Sequence, residues 1–130
     1  MKILCIGPQF RGSNAAAMFK ALGRQGHYIS VVDEFYHLPL NNKTTASKYL
    51  GKLARPIFTK SFNVAILKEF YLFEPDLVLV YKGAFVYPET VKSMQKKAKV
   101  VCFYPDVSFH THGNLLAKTL PLYEKVFTTK

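Results

Sequence analysis

The run "PDLVLVYKG" at residues 75–83 constrains the fold more than any other stretch of this chain. Its middle, "LVLVY", is entirely apolar or aromatic, whereas a strand with one wet face would alternate apolar and polar residues. Continuous runs of this kind are typical of strands covered on both faces, as in parallel sheets. The segments "KILCIG" at 2–7 and "KVVCFYPD" at 99–106 have the same character. These runs therefore predict a buried parallel sheet.

Helical patterns separate these apolar runs. We predict helices over 13–26, 45–55, 61–74, 88–98 and about 114–124. Ser13 is a suitable cap for the first helix, because its hydroxyl can accept a hydrogen bond from an amide of the first turn. Pro56 is predicted to separate the second helix from the third, because proline cannot donate the hydrogen bond that a continuous helix needs.

The alternation of strands and helices predicts an α/β fold. Right-handed crossovers between parallel strands then lead to a Rossmann-like, doubly wound parallel sheet of about five strands. The strands are predicted at 2–7, 28–33, 76–82, 99–104 and 125–129, with the first strand central. The length fits a single domain over 1–130, without an internal repeat.

The charge of the chain favours an anionic partner. Eighteen Lys and Arg oppose eight Asp and Glu, which leaves a net charge of +10. Nucleic acid is disfavoured, because the sequence has neither a Cys/His finger spacing nor an aromatic RNA-binding motif. No apolar run has the length of a membrane span, and the N-terminus lacks the apolar region of a signal peptide. We therefore expect the protein in the cytoplasm.

The two cysteines lie inside strand-like apolar runs. Cys5 and Cys102 are expected to be buried, reduced thiols on neighbouring strands that form no disulfide. Two cysteines cannot complete a zinc site alone, and no histidine stands near either of them in the sequence. We therefore predict no zinc site at the cysteines.

The loop "GPQFRGSN" at 7–14 resembles a phosphate-binding loop in the spacing of its glycines. However, Ser13 replaces the P-loop lysine and Asn14 replaces the hydroxyl residue that binds Mg²⁺, which disfavours ATP or GTP hydrolysis. Gln9 likewise replaces the second glycine of the dinucleotide fingerprint. Two interpretations stay open for Gly12, Ser13 and Asn14: a helix N-terminus that binds a phosphate or hydroxyl, or a tight turn capped by Ser13.

Ligands of open parallel sheets bind beyond the carboxyl ends of the strands, where several chemically useful residues converge. After the third strand, Lys82 offers a cation and Gly83 permits close backbone approach, unless Lys82 is only a solvated strand end. After the fourth strand, Asp106 either acts on a ligand or caps the turn that follows Pro105. His110 and His112 titrate near neutral pH, so each is a candidate base or ligand contact, a metal ligand or part of a solvated loop.

Two blocks of the sequence resemble the N-terminal domain of a GT-B glycosyltransferase. The first, "GSNAAAMFKALGRQGHYISVVD", is similar to the glycine loop, helix and strand with which those enzymes begin. The second, "EPDLVLVYKGAFVYPETVKSMQKKAKVVCFYPD", resembles the CgeB-like (spore maturation) glycosyltransferases, and "YEKVFTTK" is similar to the strand that follows in them. The resemblance covers nearly the whole chain apart from 34–70.

The resemblance implies transfer of a sugar from a nucleotide sugar to an unknown acceptor hydroxyl, without a further cofactor or metal. The donor would bind mainly to a second, C-terminal Rossmann domain. The present chain would be the acceptor-side half of the enzyme. The catalytic candidates are then Asp106 and His110. The acceptor- or donor-binding candidates are Gly12, Ser13, Asn14, Lys82, Gly83 and His112. The alternative is a non-catalytic Rossmann-like module that binds an anionic ligand or nucleic acid.

The middle of the chain, between Asn41 and Leu72, combines basic and apolar residues. Its basic residues are Lys43, Lys48, Lys52, Arg55, Lys60 and Lys68, against the single acid Glu69. Such an amphipathic surface can rest on anionic lipid or receive an anionic acceptor; otherwise it is a solvated helix face. The first alternative would place the protein at the inner face of the membrane.

Overall fold

The computed structural model describes residues 1–38, 45–106 and 113–129. The strands of this part of the chain are β1 (Lys2–Gly7), β2 (Tyr28–Asp33), β3 (Leu77–Tyr81), β4 (Lys99–Tyr104) and β5 (Lys125–Thr128). The α-helices are α1 (Asn14–Arg24), α2 (Glu34–His37), α3 (Thr45–Phe73), α4 (Pro88–Gln95) and α5 (Asn114–Thr119). A short 3-10 helix over Leu120–Leu122 follows α5.

The five strands form one parallel sheet in the order β2-β1-β3-β4-β5. This confirms the predicted α/β, Rossmann-like fold. The prediction that the first strand is central was wrong, because β3 is the middle strand and pairs with both β1 and β4. The chain runs from β1 outward to β2 and then returns past β1 to β3. The strand order therefore reverses between β1 and β3, which is the switch point of the sheet.

Helices cover both faces of the sheet. On one face, Ala15 and Phe19 of α1 pack against Ile3 and Cys5 of β1. On the other face, α3, α4 and α5 enclose the larger core, which includes Phe62, Ile66, Phe70, Val91, Met94 and Leu116. The residues of β1 and β3 are buried on both sides, which explains their continuous apolar sequence.

Pro56 does not separate two helices. A single helix, α3, runs through it from Thr45 to Phe73, which corrects the predicted break between 45–55 and 61–74. The ring removes the hydrogen bond to the carbonyl of Lys52, but Pro56 and Lys52 are both exposed, so water can solvate that carbonyl. The cost of the proline therefore falls on the solvent side of the helix, while its opposite face keeps its contacts with the core.

A buried side-chain network joins α3 to the segment that follows β3. The Asn63 side-chain amide donates to the carbonyls of Thr59 and Phe85, each at 2.8 Å. Its Oδ1 accepts from the Tyr87 amide and the Thr90 hydroxyl, again at 2.8 Å each. Because every polar atom of this amide is used, the loop between β3 and α4 has a defined position beside the carboxyl end of the sheet.

Both cysteines are fully buried, as predicted, but they do not lie on neighbouring strands. Cys5 belongs to β1 and Cys102 to β4, with β3 between them. They also pack into the cores on opposite faces of the sheet, so their sulfurs point away from each other. Cys102 Sγ instead donates to the carbonyl of Lys82 at 3.6 Å. The strand order, which the sequence did not disclose, is the reason for this correction.

Candidate functional site

A cleft of about 330 Å³ opens at the carboxyl ends of β1 and β3, at the switch point of the sheet. It is bounded by the start of α1, by α2 and by the residues that follow β3. The residues of interest in its lining are Gly12, Ser13, Asn14, Glu34, Lys82 and Phe85. Four of the predicted site residues (Gly12, Ser13, Asn14 and Lys82) therefore line one cleft.

The two glycines of the first loop are needed for different reasons. A Cβ at Gly7 would lie 2.9 Å from the Cβ of Tyr81 and 3.2 Å from the Phe19 ring, so Gly7 allows β3 and α1 to pack closely against β1. Gly12 has a φ of +86°, and a Cβ there would meet no atom within 4 Å. Gly12 thus serves the turn rather than the packing.

The start of α1 is capped as the sequence predicted. The Ser13 hydroxyl accepts from the Ala16 amide at 3.3 Å and donates to the Pro8 carbonyl at 2.7 Å. The hydroxyl thus uses its donor and one acceptor position within the turn, and it serves as the cap of α1. The amides of Asn14 and Ala15 have no acceptor within the helix and retain the partial positive charge of a helix N-terminus.

The backbone is strained where β3 ends. Lys82 has a φ of +64°, which is rare for a residue with a side chain. The Gly83 amide donates to the Tyr81 carbonyl at 2.9 Å across Lys82, which defines a γ-turn of the strained, positive-φ kind. Strain of this kind persists only where the surroundings enforce it, and it clusters at ligand sites. Here the Lys82 amide is held by a 2.9 Å bond to the Phe103 carbonyl.

The γ-turn directs Lys82 toward a second predicted site residue. Its Nζ lies 2.9 Å from Oδ2 of Asp106, and each side chain is about one third exposed. The ion pair brings the ends of β3 and β4 together. It occupies one of the three N–H donors of the ammonium group. His110 and His112 lie outside the described residues.

Glu34 also lines the cleft, although no sequence motif predicted it as a site residue. Only 9% of it is exposed, although it is an acid. Burial raises the pKa of its carboxyl to about 7; the nearby Lys82 cation lowers it and the neighbouring Asp33 raises it. The feature of the sequence that could have indicated Glu34 is the pair of acids in "DEFYH" directly after β2.

Asp33, the first acid of that pair, has a structural role. Its Oδ1 accepts from the Phe35 amide at 2.9 Å, which caps α2. The same oxygen accepts from the Gln9 amide at 3.0 Å, which ties the loop after β1 to the end of β2. This leaves the second acid, Glu34, as the carboxyl that faces the cleft.

A second surface of interest is the outer face of α3. Leu50, Leu53 and Ile57 are 65%, 61% and 72% exposed, and their spacing places them on one side of the helix. The exposed Lys60 continues this stripe by one further turn. We call these residues the α3 outer face. Among the described residues, no helix has the length and apolar character needed to cross a membrane.

The chain is therefore a Rossmann-like α/β domain, and its cleft lies at the switch point of the sheet. No protein-family model matches the chain. No curated protein matches it either. Among solved structures, a protein of Burkholderia pseudomallei described as pilus assembly-related aligns with 99% of this chain and 78% of its own length, at 11% identity and a TM-score of 0.44. Similarity at this level supports no functional argument.

Proposed function

We propose that this chain is the acceptor-side domain of a GT-B glycosyltransferase, in which it positions an acceptor hydroxyl for transfer of a sugar from a nucleotide sugar. The observation that carries the proposal is the 2.9 Å pair of Lys82 and Asp106. These residues close two separate motifs of the CgeB-like resemblance, the Lys-Gly after one strand and the aromatic-aspartate end of the next. The two residues meet at the carboxyl edge of the sheet, where ligands of such folds bind, and this supports a shared role for the two motifs.

In this proposal the residues after β3 and β4 act on the acceptor. Lys82 supplies a point charge to an anionic group. Gly83, predicted to admit a ligand to the backbone, instead makes room for the Tyr123 hydroxyl and is not among the residues that line the cleft. Asp106 accepts the proton of the acceptor hydroxyl or orients that hydroxyl, with His110 as the alternative base. Gly12, Ser13 and Asn14 form the opposite binding segment, while the nucleotide sugar binds mainly to a second Rossmann domain.

The proposal is tested first by the gene and then by activity. The coding sequence beyond codon 130 is expected to encode a second Rossmann-like domain. In the two-domain protein, Asp106→Asn should lower the rate of sugar transfer about a hundredfold if Asp106 is the base. Asp76→Asn is the matched control, since Asp76 accepts from the Lys2 amide at the other end of the sheet. Absence of a second domain, or equal transfer by both variants, would contradict the proposal.

The second candidate is a non-catalytic module that binds an anion. It is favoured by the first-turn amides of α1, which have no acceptor within the helix, together with the net charge of +10. This candidate predicts saturable binding of phosphate esters without transfer of any sugar by the longer protein. The transfer assay therefore separates the two candidates.

A further inference from the structure

The Glu34 carboxyl is buried, lies at the cleft and has no hydrogen-bond donor among the described residues. The residue is nine-tenths buried, yet it lines the switch-point cleft. Within the described parts of the chain, no group donates a hydrogen bond to this carboxyl, although its neighbour Asp33 accepts two. Burial deprives this carboxyl of most of its water, and no hydrogen bond from the described residues compensates for that loss. Such a group is explained if a ligand supplies the donor.

The same cleft offers the complementary chemistry for an anion. The first-turn amides of α1, an eleven-residue helix, have no acceptor within the helix at Asn14 and Ala15. Lys82 lines the cleft as well and has two ammonium N–H groups beyond the one that Asp106 accepts. The cleft thus holds donors for an oxyanion and, in Glu34, an acceptor for a hydroxyl.

The volume of the cleft limits the size of the ligand. About 330 Å³ is near the lower end of ligand pockets, which favours a small metabolite-sized group over a dinucleotide. A carboxylate-only ligand would offer Glu34 no donor, and a simple alcohol would leave the α1 amides and Lys82 unused. A ligand with both an oxyanion and hydroxyl groups satisfies all three.

We propose that the cleft binds a polyol phosphate, with its phosphate at the start of α1 and Lys82 and with a hydroxyl donating to the Glu34 carboxyl. The further statement that a polyol phosphate is the sugar acceptor rests on the proposed function. The binding site itself is tested without any transferase activity.

The test compares two phosphate esters of matched size by isothermal titration calorimetry. Glycerol 3-phosphate carries two hydroxyls, and propyl phosphate carries none. The chain should bind glycerol 3-phosphate about tenfold more tightly, the usual worth of a hydrogen bond to a charged group. Glu34→Leu should abolish this preference and leave the affinity for propyl phosphate within about twofold. Equal affinities in the unmodified protein, a preference that survives Glu34→Leu, or no binding of glycerol 3-phosphate at millimolar concentration would each overturn the proposal.

A second pair of variants tests the phosphate end independently of Glu34. Lys82→Met should weaken both esters by about the same factor, whereas Lys20→Met removes an equal charge from the exposed side of α1 and should change neither affinity. If both variants behave alike, the phosphate does not lie beside Lys82 and the proposal is wrong. Hydroxyl-dependent binding without sugar transfer would support the polyol phosphate site and refute only the glycosyltransferase function. Sugar transfer without a Glu34-dependent preference would support the glycosyltransferase function and refute only the polyol phosphate site.

Discussion

The Lys82 ammonium lies 2.9 Å from the Asp106 carboxylate and thereby links the carboxyl ends of two neighbouring strands. Both groups are about one third exposed, so water screens their attraction. Lys82→Met should therefore lower the free energy of unfolding by less than about 1 kcal/mol. Urea denaturation measures this, with Lys99→Met as the control in a looser pair of 3.8 Å with Glu124. A loss of several kcal/mol would make the pair a structural element rather than part of a site.

Gly83→Ala should destabilise the domain by about 2 kcal/mol or more. The residue has a φ of +76°, and a Cβ would lie 2.7 Å from the Tyr123 hydroxyl and 3.0 Å from Val80. Gly26→Ala is the matched control, because its φ of +93° is equally unfavourable while no atom lies within 4 Å. Its cost should be only about 1 kcal/mol, from the backbone alone. Equal melting temperatures for the two variants would contradict the close contact at Gly83.

Glu34→Gln should stabilise the protein in a pH-dependent manner. Burial raises the carboxyl pKa from 4.5 to about 7, so folding favours the protonated form. The stability that this proton provides is complete below pH 4.5 and is lost as the pH rises through 7. The variant should equal the unmodified protein at pH 4 and exceed its free energy of unfolding by roughly 1–3 kcal/mol at pH 8. A difference that does not change with pH would show that Glu34 is not desolvated.

Both thiols should be unreactive in the native protein. Burial raises the pKa of Cys5 and of Cys102 to about 12, so neither forms a thiolate at pH 8. Titration with a thiol reagent should label both residues in denaturant and neither on the same timescale before unfolding. The raised pKa values also predict that stability declines above about pH 9, where unfolded thiols ionise first. Fast labelling of either native cysteine would contradict its burial.

The α3 outer face should bind anionic membranes. The apolar side chains of this face, with the Lys60 cation beside them, suit the boundary between acyl chains and acidic headgroups. Co-sedimentation should recover the protein with vesicles that contain an anionic lipid and not with neutral vesicles. The double variant Leu53→Glu, Ile57→Glu should reduce this binding at least about tenfold, because each new carboxylate would have to enter the apolar part of the membrane surface. Tyr28→Glu with Tyr36→Glu, at residues that are 73% and 83% exposed, adds the same charge elsewhere and is the control; equal losses would mean that net charge alone attracts the protein.

The continuous apolar runs determined the sheet. Strands such as β3 are buried on both faces, so every position must be apolar, and this requirement can be read from a single sequence. The start of α1 was equally legible, since Ser13 makes the cap that its residue type favours. Local chemistry decided both features, which is why both predictions were confirmed.

The tertiary structure decided what depends on distant partners. The sequence could not reveal that β3 lies beside β1, and hence that Cys5 and Cys102 are separated. Nor could it reveal that Pro56 faces solvent, where a lost hydrogen bond costs little. Two adjacent acids, Asp33 and Glu34, look alike in a sequence. The formation of α2 makes the first its cap and places the second in its first turn, beside the cleft that α1 and the end of β3 enclose. Their different roles follow from chain segments that meet only in the folded protein.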